Sequence, residues 1–373
     1  MKINDKRTPG LFIMTLALLG TLILWSKNNQ TERPAIKIGA AMALTGDAAV
    51  WGESSLNGIK MAVNEINTNG GINGRQINLV VEDTRSNSKD SISSVSKLQN
   101  IDNVDALLIS WLDVYQGAES ILKPNTLMIS PDAGIEGANG NKIHPNVFST
   151  WYRTQPKSEL AVKHMAEHGK KTLYIIAQND SYYATVVSFM EEAAKKYGVE
   201  VVGKDLLNSG TDIQAIMVKV NEKKPDAVFV ALYDEKENVT FLKRNKFLLN
   251  SSISVYGDEF VEQNYIKADY SKDWFENFYF YGPKTPESSF FNKYKTLYKV
   301  DPVFGASTAY DAVYMIARAL KDRPLDLNSY MRSTKFSTVS YGGVTFDKLG
   351  GIETPENYFV MKQIKDGLPI DAN

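Results

Sequence analysis

From Ile36 onward the chain alternates short apolar segments with amphipathic ones, and this alternation restricts the possible folds severely. Ile36–Met42 is predicted to be an apolar strand, followed by a helix over about Glu53–Asn67 with its apolar residues on one face. Similar strand–helix units recur up to a short strand at Val147–Ser149, and the pattern restarts with a helix predicted over Pro156–His168. Repeated βα units with short apolar strands predict an α/β fold of two doubly wound, mostly parallel sheets.

The end of the chain departs from this pattern. Val344–Phe346 and Tyr358–Ile364 are predicted to be strands, and the turn residues 347–351 lie between them. We therefore expect these two strands to pair with each other in an antiparallel hairpin.

The N-terminus has the composition of an export signal. Lys2, Lys6 and Arg7 precede the almost wholly apolar stretch Leu11–Trp25. The uncharged residues 8–26 would form a helix about 28 Å long, close to the thickness of a bilayer core. We predict that residues 1–30 are a signal peptide or an uncleaved anchor in the inner membrane. The basic flank places the remainder in the periplasm or cell envelope.

Charge and cysteine content exclude several classes of function. Lys and Arg number 42 against 43 Asp and Glu, and no basic stripe occurs, so we expect no nucleic-acid partner. The absence of cysteine excludes disulfides, thiol catalysis and Cys-ligated metal sites. No sequence feature implies a cofactor or a bound metal.

Three motifs resemble catalytic or nucleotide-binding signatures and are better explained otherwise. His164 and His168 match the H-x-x-E-H spelling of a zinc site, but they lie at a predicted helix C-terminus without an evident third ligand. The glycines within 134–140 lack the Lys-Ser/Thr of a phosphate loop. The adjacent acids Asp258 and Glu259 should point to opposite sides of an extended segment. We predict that the protein is not an enzyme, and an envelope hydrolase with an acidic cleft is the remaining catalytic alternative.

Acidic and aromatic residues follow most of the predicted strands. Ligands of open α/β sheets bind beside the carboxyl ends of the strands, so these loops predict a binding cleft between the two halves. About half of the acids, including Asp180, are also expected to cap the following helix. The loops in question are 45–52, 110–115, 130–134, 179–183, 232–234 and 257–259.

Several segments together resemble the leucine/isoleucine/valine-binding family, the type I periplasmic solute-binding proteins of ABC transporters. They are Thr45–Gly52, Ala62–Asn67, Gly70–Arg75, Glu82–Thr84, Ile129–Pro131 and Thr308–Val313. The resemblance covers about residues 35–365 and implies two lobes joined by three crossovers, near Trp151–Thr154, Gly282–Thr285 and Ser337–Gly342. Lobe 1 would then contain residues 35–151 plus 283–338, and lobe 2 residues 152–282 plus 339–373.

The resemblance also implies which positions contact a ligand. Amino-acid-binding members hold the ligand carboxylate with hydroxyls and backbone N–H groups after the third and fourth strands. This chain has Asp113-Val114-Tyr115 and Asp132-Ala133-Gly134 there, without the Ser/Thr pair. Asp113 and Asp132 would repel a ligand carboxylate. The positions that face the ligand ammonium group are retained by Tyr183, Tyr233 and Glu259, and Trp51 matches an aromatic residue that packs on the ligand.

We therefore expect a ligand other than a branched-chain amino acid, one that is cationic or rich in amide or hydroxyl groups and stacks on aromatic rings. An anionic ligand remains the alternative if Arg153 and Lys157 reach the cleft. The predicted ligand-binding residues are Trp51, Trp111, Asp113, Tyr115, Asp132, Ala133, Tyr183, Tyr233, Asp258 and Glu259.

The function implied is capture of a small solute by hinge closure, followed by docking of a monomer on an ABC permease. The alternative is a membrane-tethered sensor of the same fold that signals to a receptor or regulator.

Overall fold

The computed structural model describes residues 34–46, 48–134, 145–232, 235–261, 270–283, 286–303, 305–353, 355 and 358–372. The N-terminal signal or anchor predicted at 1–30 and the candidate ligand residue Tyr233 lie outside these ranges. None of the helices within them is both long enough and apolar enough to span a bilayer.

The chain alternates strands and helices through most of its length. The strands are β1 Ile36–Met42, β2 Ile77–Asp83, β3 Ala106–Ile109, β4 Leu127–Ser130, β5 Val147–Ser149, β6 Thr172–Gln178, β7 Glu200–Leu207, β8 Ala227–Ala231, β9 Ser254–Gly257, β10 Tyr279–Pro283, β11 Phe336–Thr338, β12 Gly342–Val344, β13 Phe359–Lys365 and β14 Leu368–Asp371. The α-helices are α1 Ala49–Thr68, α2 Ser88–Asn100, α3 Leu112–Ala118, α4 Thr154–Glu167, α5 Ser181–Tyr197, α6 Ile213–Lys223, α7 Glu235–Leu248, α8 Ser288–Tyr298, α9 Ala306–Asp322 and α10 Leu327–Ser333. Short 3₁₀ helices cover Glu119–Ile121 and Lys272–Phe275.

The strands form two large sheets, and helices cover both faces of each. The first sheet has the order β2-β1-β3-β4-β5 and is parallel throughout. The second has the order β14-β13-β10-β9-β8-β6-β7, with parallel strands from β7 to β10 and antiparallel β13 and β14 at its other edge. We call the first sheet with its helices the first lobe, and the second sheet with its helices the second lobe. The predicted doubly wound α/β class is confirmed, with an antiparallel addition to one sheet.

The close packing of α1 on α9 sets the thickness of the first lobe. Gly58 lies where a Cβ atom would overlap the carbonyl oxygen of Ala306, so only glycine permits this approach. Buried side chains of α9, including Ala309, Ala312 and Val313, pack with those of β1 and α1 in one core. The chain from α8 to α10 therefore belongs to the first lobe.

The predicted hairpin near the C-terminus is wrong. β12 pairs with β11, and β13 pairs with β10 and β14. Phe346 makes only an isolated bridge to Ile352. The reason is packing, since Phe346 and Ile352 are buried in the core of the first lobe, whereas Phe359 is buried in the second.

The same packing bears on the position of the third crossover, which the sequence predicts near Ser337–Gly342. Gly351 lies beside Ser149 in a parallel bridge at the edge of the first sheet. Asp347 pairs with Arg153, which lies between β5 of the first lobe and α4 of the second, where the first crossover is predicted. Tyr341 also donates its hydroxyl to the carbonyl oxygen of Thr150 at 2.9 Å. We therefore propose that the chain still belongs to the first lobe at Ile352 and has entered the second lobe by Tyr358.

Candidate functional site

A pocket lies between the lobes, at the carboxyl ends of their strands. It encloses about 570 Å³ of empty space, including space that is open to solvent. Its position follows the rule for ligand sites of open α/β sheets. The described residues that line it are Trp51, Trp111, Leu112, Asp113, Asp132 and Ala133 from the first lobe, Trp151 from the first crossover, and Asp180, Tyr182 and Phe260 from the second lobe.

The aromatic wall of the pocket crosses the cleft. Trp51, in the first turn of α1, stacks on Trp111 with ring centroids 5.6 Å apart. Its ring also meets Phe260 of the second lobe edge to face, at 5.5 Å. Gly52 lies where a Cβ atom would overlap the carbonyl oxygen of Ala43, so this glycine lets α1 start directly against the end of β1 and carries Trp51 into the cleft.

Trp111 is held in an unusual backbone conformation. Its φ of 75° lies in the left-handed region, which is rare for a bulky residue. Its backbone N–H donates to Oδ1 of Asp132 at 2.8 Å, and this bond stabilises the conformation that turns the indole toward Trp51. Backbone strain of this kind concentrates at functional sites.

Asp132 ties its own loop to the loop after β3 and to helix α1 of the first lobe. Besides the Trp111 N–H, its carboxylate accepts the hydroxyls of Ser110 at 2.7 Å and Ser55 at 2.9 Å. Burial raises the pKa of Asp132, while these hydrogen bonds act in the opposite direction. The carboxylate predicted as a ligand contact therefore lines the pocket and also positions its wall.

Replacing Asp132 by alanine should destabilise the first lobe. Asp132→Ala leaves three donors without their acceptor, and we expect the free energy of unfolding to fall by about 1–3 kcal/mol. Urea unfolding measures this loss, and Asp301→Ala is the control variant. Asp301 is an exposed partner of Lys295, and its loss should cost at most about 1 kcal/mol. Equal losses in the two variants would contradict this role for Asp132.

A buried cluster of charged and phenolic groups lies in the second lobe next to the pocket. We call it the Glu259 cluster, and it comprises Tyr152, Lys157, Tyr182, Tyr183, Asp258, Glu259 and Tyr281. Glu259 accepts the Tyr152 hydroxyl at 2.6 Å and the Tyr182 hydroxyl at 2.9 Å, and it pairs with Lys157. The side chains of Lys157 and Glu259 are both 0% exposed.

The electrostatics of the Glu259 cluster follow from burial. The Lys157 ammonium lies 4.7 Å from the Tyr152 ring centroid and 4.9 Å from that of Tyr182, within cation–π distance. Burial, with the charge of Glu259 next in importance, raises the pKa of Tyr152 and Tyr182. Burial also raises the pKa of Asp258 to about 7, and the Glu259 charge adds to this shift.

The structure separates the predicted site residues into two groups. The first group lines the pocket and comprises Trp51, Trp111, Asp113, Asp132 and Ala133. The other described members lie elsewhere: Tyr115, Tyr183, Asp258 and Glu259 are all buried away from the lining.

Local geometry explains these placements. Tyr115 is fully buried in the core formed by α2, α3 and their strands. Tyr183 turns inward and donates its hydroxyl to Asp258 at 2.7 Å, so its neighbour Tyr182 faces the pocket instead. Asp258 accepts the hydroxyl of Tyr183, and Glu259 accepts that of Tyr182. Asp180 caps α5 by accepting the backbone N–H of Tyr183 at 2.7 Å, which confirms the predicted cap.

Five lining residues were not predicted as ligand contacts: Leu112, Trp151, Asp180, Tyr182 and Phe260. All but Trp151 lie within or directly beside the strand-end loops that the sequence had marked. Trp151 belongs to the first crossover and stacks on Tyr152 at 4.2 Å. The adjacent aromatic residues Trp151 and Tyr152 at the predicted crossover are the sequence signal that could have identified it.

The His164/His168 motif has no metal-site geometry. The two rings stack with centroids 3.9 Å apart, and Nδ1 of His164 lies 3.1 Å from the Tyr256 hydroxyl. No group of three or more potential His, Asp or Glu ligands occurs among the described residues. Burial, followed by the neighbouring His168, lowers the pKa of His164 to about 4.

Comparison with known proteins defines the class to which this fold and cleft belong. The sequence profile described as "Periplasmic binding protein" matches residues 35–367. The chain therefore belongs to the periplasmic binding protein family, and the resemblance inferred from its sequence motifs is confirmed.

Named relatives agree with this assignment. The leucine-, isoleucine-, valine-, threonine- and alanine-binding protein of Pseudomonas aeruginosa is 25% identical over 333 residues, which are 85% of this chain and 87% of that protein. The Leu/Ile/Val-binding protein BraC3 of Rhizobium johnstonii is 24% identical over 58% of this chain. The match spans only 60% of the length of BraC3, and that to homolog 8 of Brucella abortus 54% of its length.

Solved structures confirm the type I fold. The branched-chain amino acid transporter substrate-binding protein LivJ of Streptococcus pneumoniae, in complex with isoleucine, has a TM-score of 0.75 at 22% identity and covers 91% of this chain and 100% of its own. A solute-binding protein of an ABC transporter from R. palustris, in complex with benzoate, also has a TM-score of 0.75, at 19% identity over 91% of this chain and 96% of its own.

Proposed function

We propose that this protein is the exported solute-binding component of an ABC transporter, which captures a small ligand by closing its two lobes and delivers it to a permease. The observation that carries the proposal is the pocket whose wall is completed across the cleft by Trp51 and Phe260. A ligand held between both lobes binds the closed form more tightly than the open form, and this difference in affinity drives closure. Binding and release, without covalent chemistry, account for the arrangement.

The composition of the pocket also supports a ligand unlike a branched-chain amino acid. Among the described residues, three carboxylates line it, and half of the lining residues are aromatic. We propose a ligand that is cationic or rich in amide or hydroxyl groups. The relatives bound to isoleucine and benzoate carry carboxylate ligands, so the proposed difference lies in the charge that the pocket accepts.

The experiment is a ligand screen on the full-length protein after unfolding and refolding to remove carried-over solute. The panel contains amino acids, quaternary amines, polyamines, amides, sugars and dicarboxylates, and the readout is the unfolding temperature. A ligand at 1,000 times its dissociation constant should raise the free energy of unfolding by about 4 kcal/mol. Absence of any stabilising small solute would overturn the proposed function.

Removal of the aromatic wall should weaken binding of whichever ligand emerges. Trp51→Ala removes the indole that contacts both lobes, and we expect a loss of affinity of about tenfold. Trp274→Ala is the matched control, because Trp274 lies outside the lining and packs on Tyr270 at 5.7 Å. Isothermal titration calorimetry measures both variants. An unchanged affinity in Trp51→Ala would place the ligand elsewhere.

A further inference from the structure

The pocket combines aromatic faces with negative charge. Trp51 and Trp111 present nearly parallel rings at an interplanar angle of 21°, and Trp151, Tyr182 and Phe260 add further aromatic surface. Across the parts of the chain that the structure describes, no Lys, Arg or His lines the pocket. Aromatic faces carry negative charge density, so walls of this composition attract cations.

The three lining carboxylates have different surroundings. Asp132 accepts three hydrogen bonds from its own lobe, and Asp180 caps α5. Asp113 is half-buried in the first turn of α3. Within the described ranges no hydrogen bond or ion pair to its carboxylate is present. The Asp113 side chain is therefore the acidic group of the pocket that is available to a ligand.

The two basic residues closest along the chain to the pocket wall are engaged elsewhere. Lys157 pairs with Glu259 inside the second lobe, and Arg153 pairs with Asp347 at the crossovers. A ligand carboxylate in the pocket would face carboxylates, and no basic side chain of the described lining would compensate its charge. A ligand cation would meet the opposite situation, because both the rings and Asp113 favour positive charge.

We propose that the pocket binds an organic monocation that carries no carboxylate, with its ammonium group against the aromatic wall and Asp113 as its counter-charge. This inference rests on the proposed function and specifies the ligand class of the same site. It also gives Asp113 a role in specificity, since its charge disfavours zwitterionic amino acids and carboxylates while it favours alkylammonium groups.

The test compares cations with neutral molecules of the same shape. The probes are choline and its carbon counterpart 3,3-dimethyl-1-butanol, titrated into the refolded full-length protein by calorimetry. We expect choline to bind ten times or more tighter than its counterpart. Asp113→Asn should reduce the affinity for that cation about tenfold or more and leave the affinity for the neutral molecule unchanged.

A second variant controls for general surface charge. Glu53 is an exposed carboxylate of the same lobe, on α1 and outside the lining, so Glu53→Gln should leave both affinities unchanged. Equal binding of cation and counterpart, tighter binding of leucine or benzoate than of any cation, or no cation binding while another solute binds would overturn this inference and leave the solute-binding function standing. Failure of every solute in the wider screen would overturn both.

Discussion

Glu259→Gln should lower the free energy of unfolding by about 3–5 kcal/mol, because it removes the only carboxylate paired with a fully buried lysine ammonium in the described part of the chain. Glutamine keeps an oxygen that can accept the Tyr152 and Tyr182 hydroxyls, so the main loss is electrostatic. Lys157 would remain at 0% exposure without its paired carboxylate. Urea unfolding of the wild type and the variant measures the difference.

An exposed pair of the same chemistry provides the control. Glu159 pairs with Lys196 at 2.5 Å, with side chains 30% and 60% exposed, and Glu159→Gln should cost at most about 1 kcal/mol. Adding Lys157→Met to Glu259→Gln removes the stranded charge and should restore much of the lost stability. If Glu259→Gln costs no more than Glu159→Gln, the buried pair does not stabilise the second lobe as the structure implies.

The Glu259 cluster also connects the pocket to the crossovers. Tyr182 lines the pocket and donates to Glu259, and Phe260 follows Glu259 in the chain. Tyr152 belongs to the first crossover, while Tyr281 lies on β10 directly before the second. Loss of the Glu259 charge should therefore disturb the pocket wall as well as stability, and ligand affinity should fall together with the free energy of unfolding.

The architecture could be predicted because its signals are local. The strand–helix alternation defines βα units, and parallel sheets follow from them almost without further information. Asp180 could be identified as a cap because an acid before a helix satisfies backbone N–H groups of its first turn. The partner strands of β12 and β13 could not be predicted in this way, because they depend on which core buries Phe346 and which buries Phe359.

The site was only partly predictable for a related reason. The loops at the strand ends were identified, but the direction of each side chain within them depends on distant partners. Tyr182 and Tyr183 are adjacent on α5 and point about 100° apart around the helix axis. Asp258, which draws Tyr183 inward, lies 75 positions away. Lys157 and Glu259 are separated by 102 positions, so their pairing has no local signature.

A second large effect is expected at Asp311, a buried residue of α9. Its carboxylate accepts the backbone N–H groups of Val339 at 2.8 Å and Ser340 at 3.1 Å, at the turn between β11 and β12. Burial raises the pKa of Asp311 to about 7 from its ordinary value of 3.8, against the effect of these hydrogen bonds. Because Tyr341 donates its hydroxyl to the carbonyl oxygen of Thr150, directly before the predicted first crossover, Asp311 holds a turn that lies beside the hinge region.

The sign of the pH dependence follows from this shift. Between pH 3.8 and about 7 the folded chain binds a proton at Asp311 that the unfolded chain has released, so the contribution to stability is full below the unfolded pKa and is lost as the pH rises. From pH 5 to pH 8 this loss amounts to about 2–3 kcal/mol at Asp311 alone. His164, whose folded pKa is lowered to about 4, acts in the opposite direction at the acidic end of this window.

Comparison with Asp311→Asn isolates the residue from these other groups. Asparagine does not titrate, so we expect the wild type to lose about 2–3 kcal/mol relative to this variant between pH 5 and pH 8, measured by urea unfolding at each pH. Asparagine cannot accept both N–H groups of the turn equally well, so the absolute stability of the variant is lower. The diagnostic quantity is how the difference in stability between wild type and variant changes with pH.

An exposed carboxylate provides the control. Asp326 caps α10, and its hydrogen bonds to Ser329 lower its pKa, so Asp326→Asn should leave the pH dependence unchanged in this window. A difference between wild type and Asp311→Asn that stays constant with pH would show that Asp311 is already ionised at pH 5. The two hydrogen bonds from the turn would then outweigh the effect of burial on its carboxyl group.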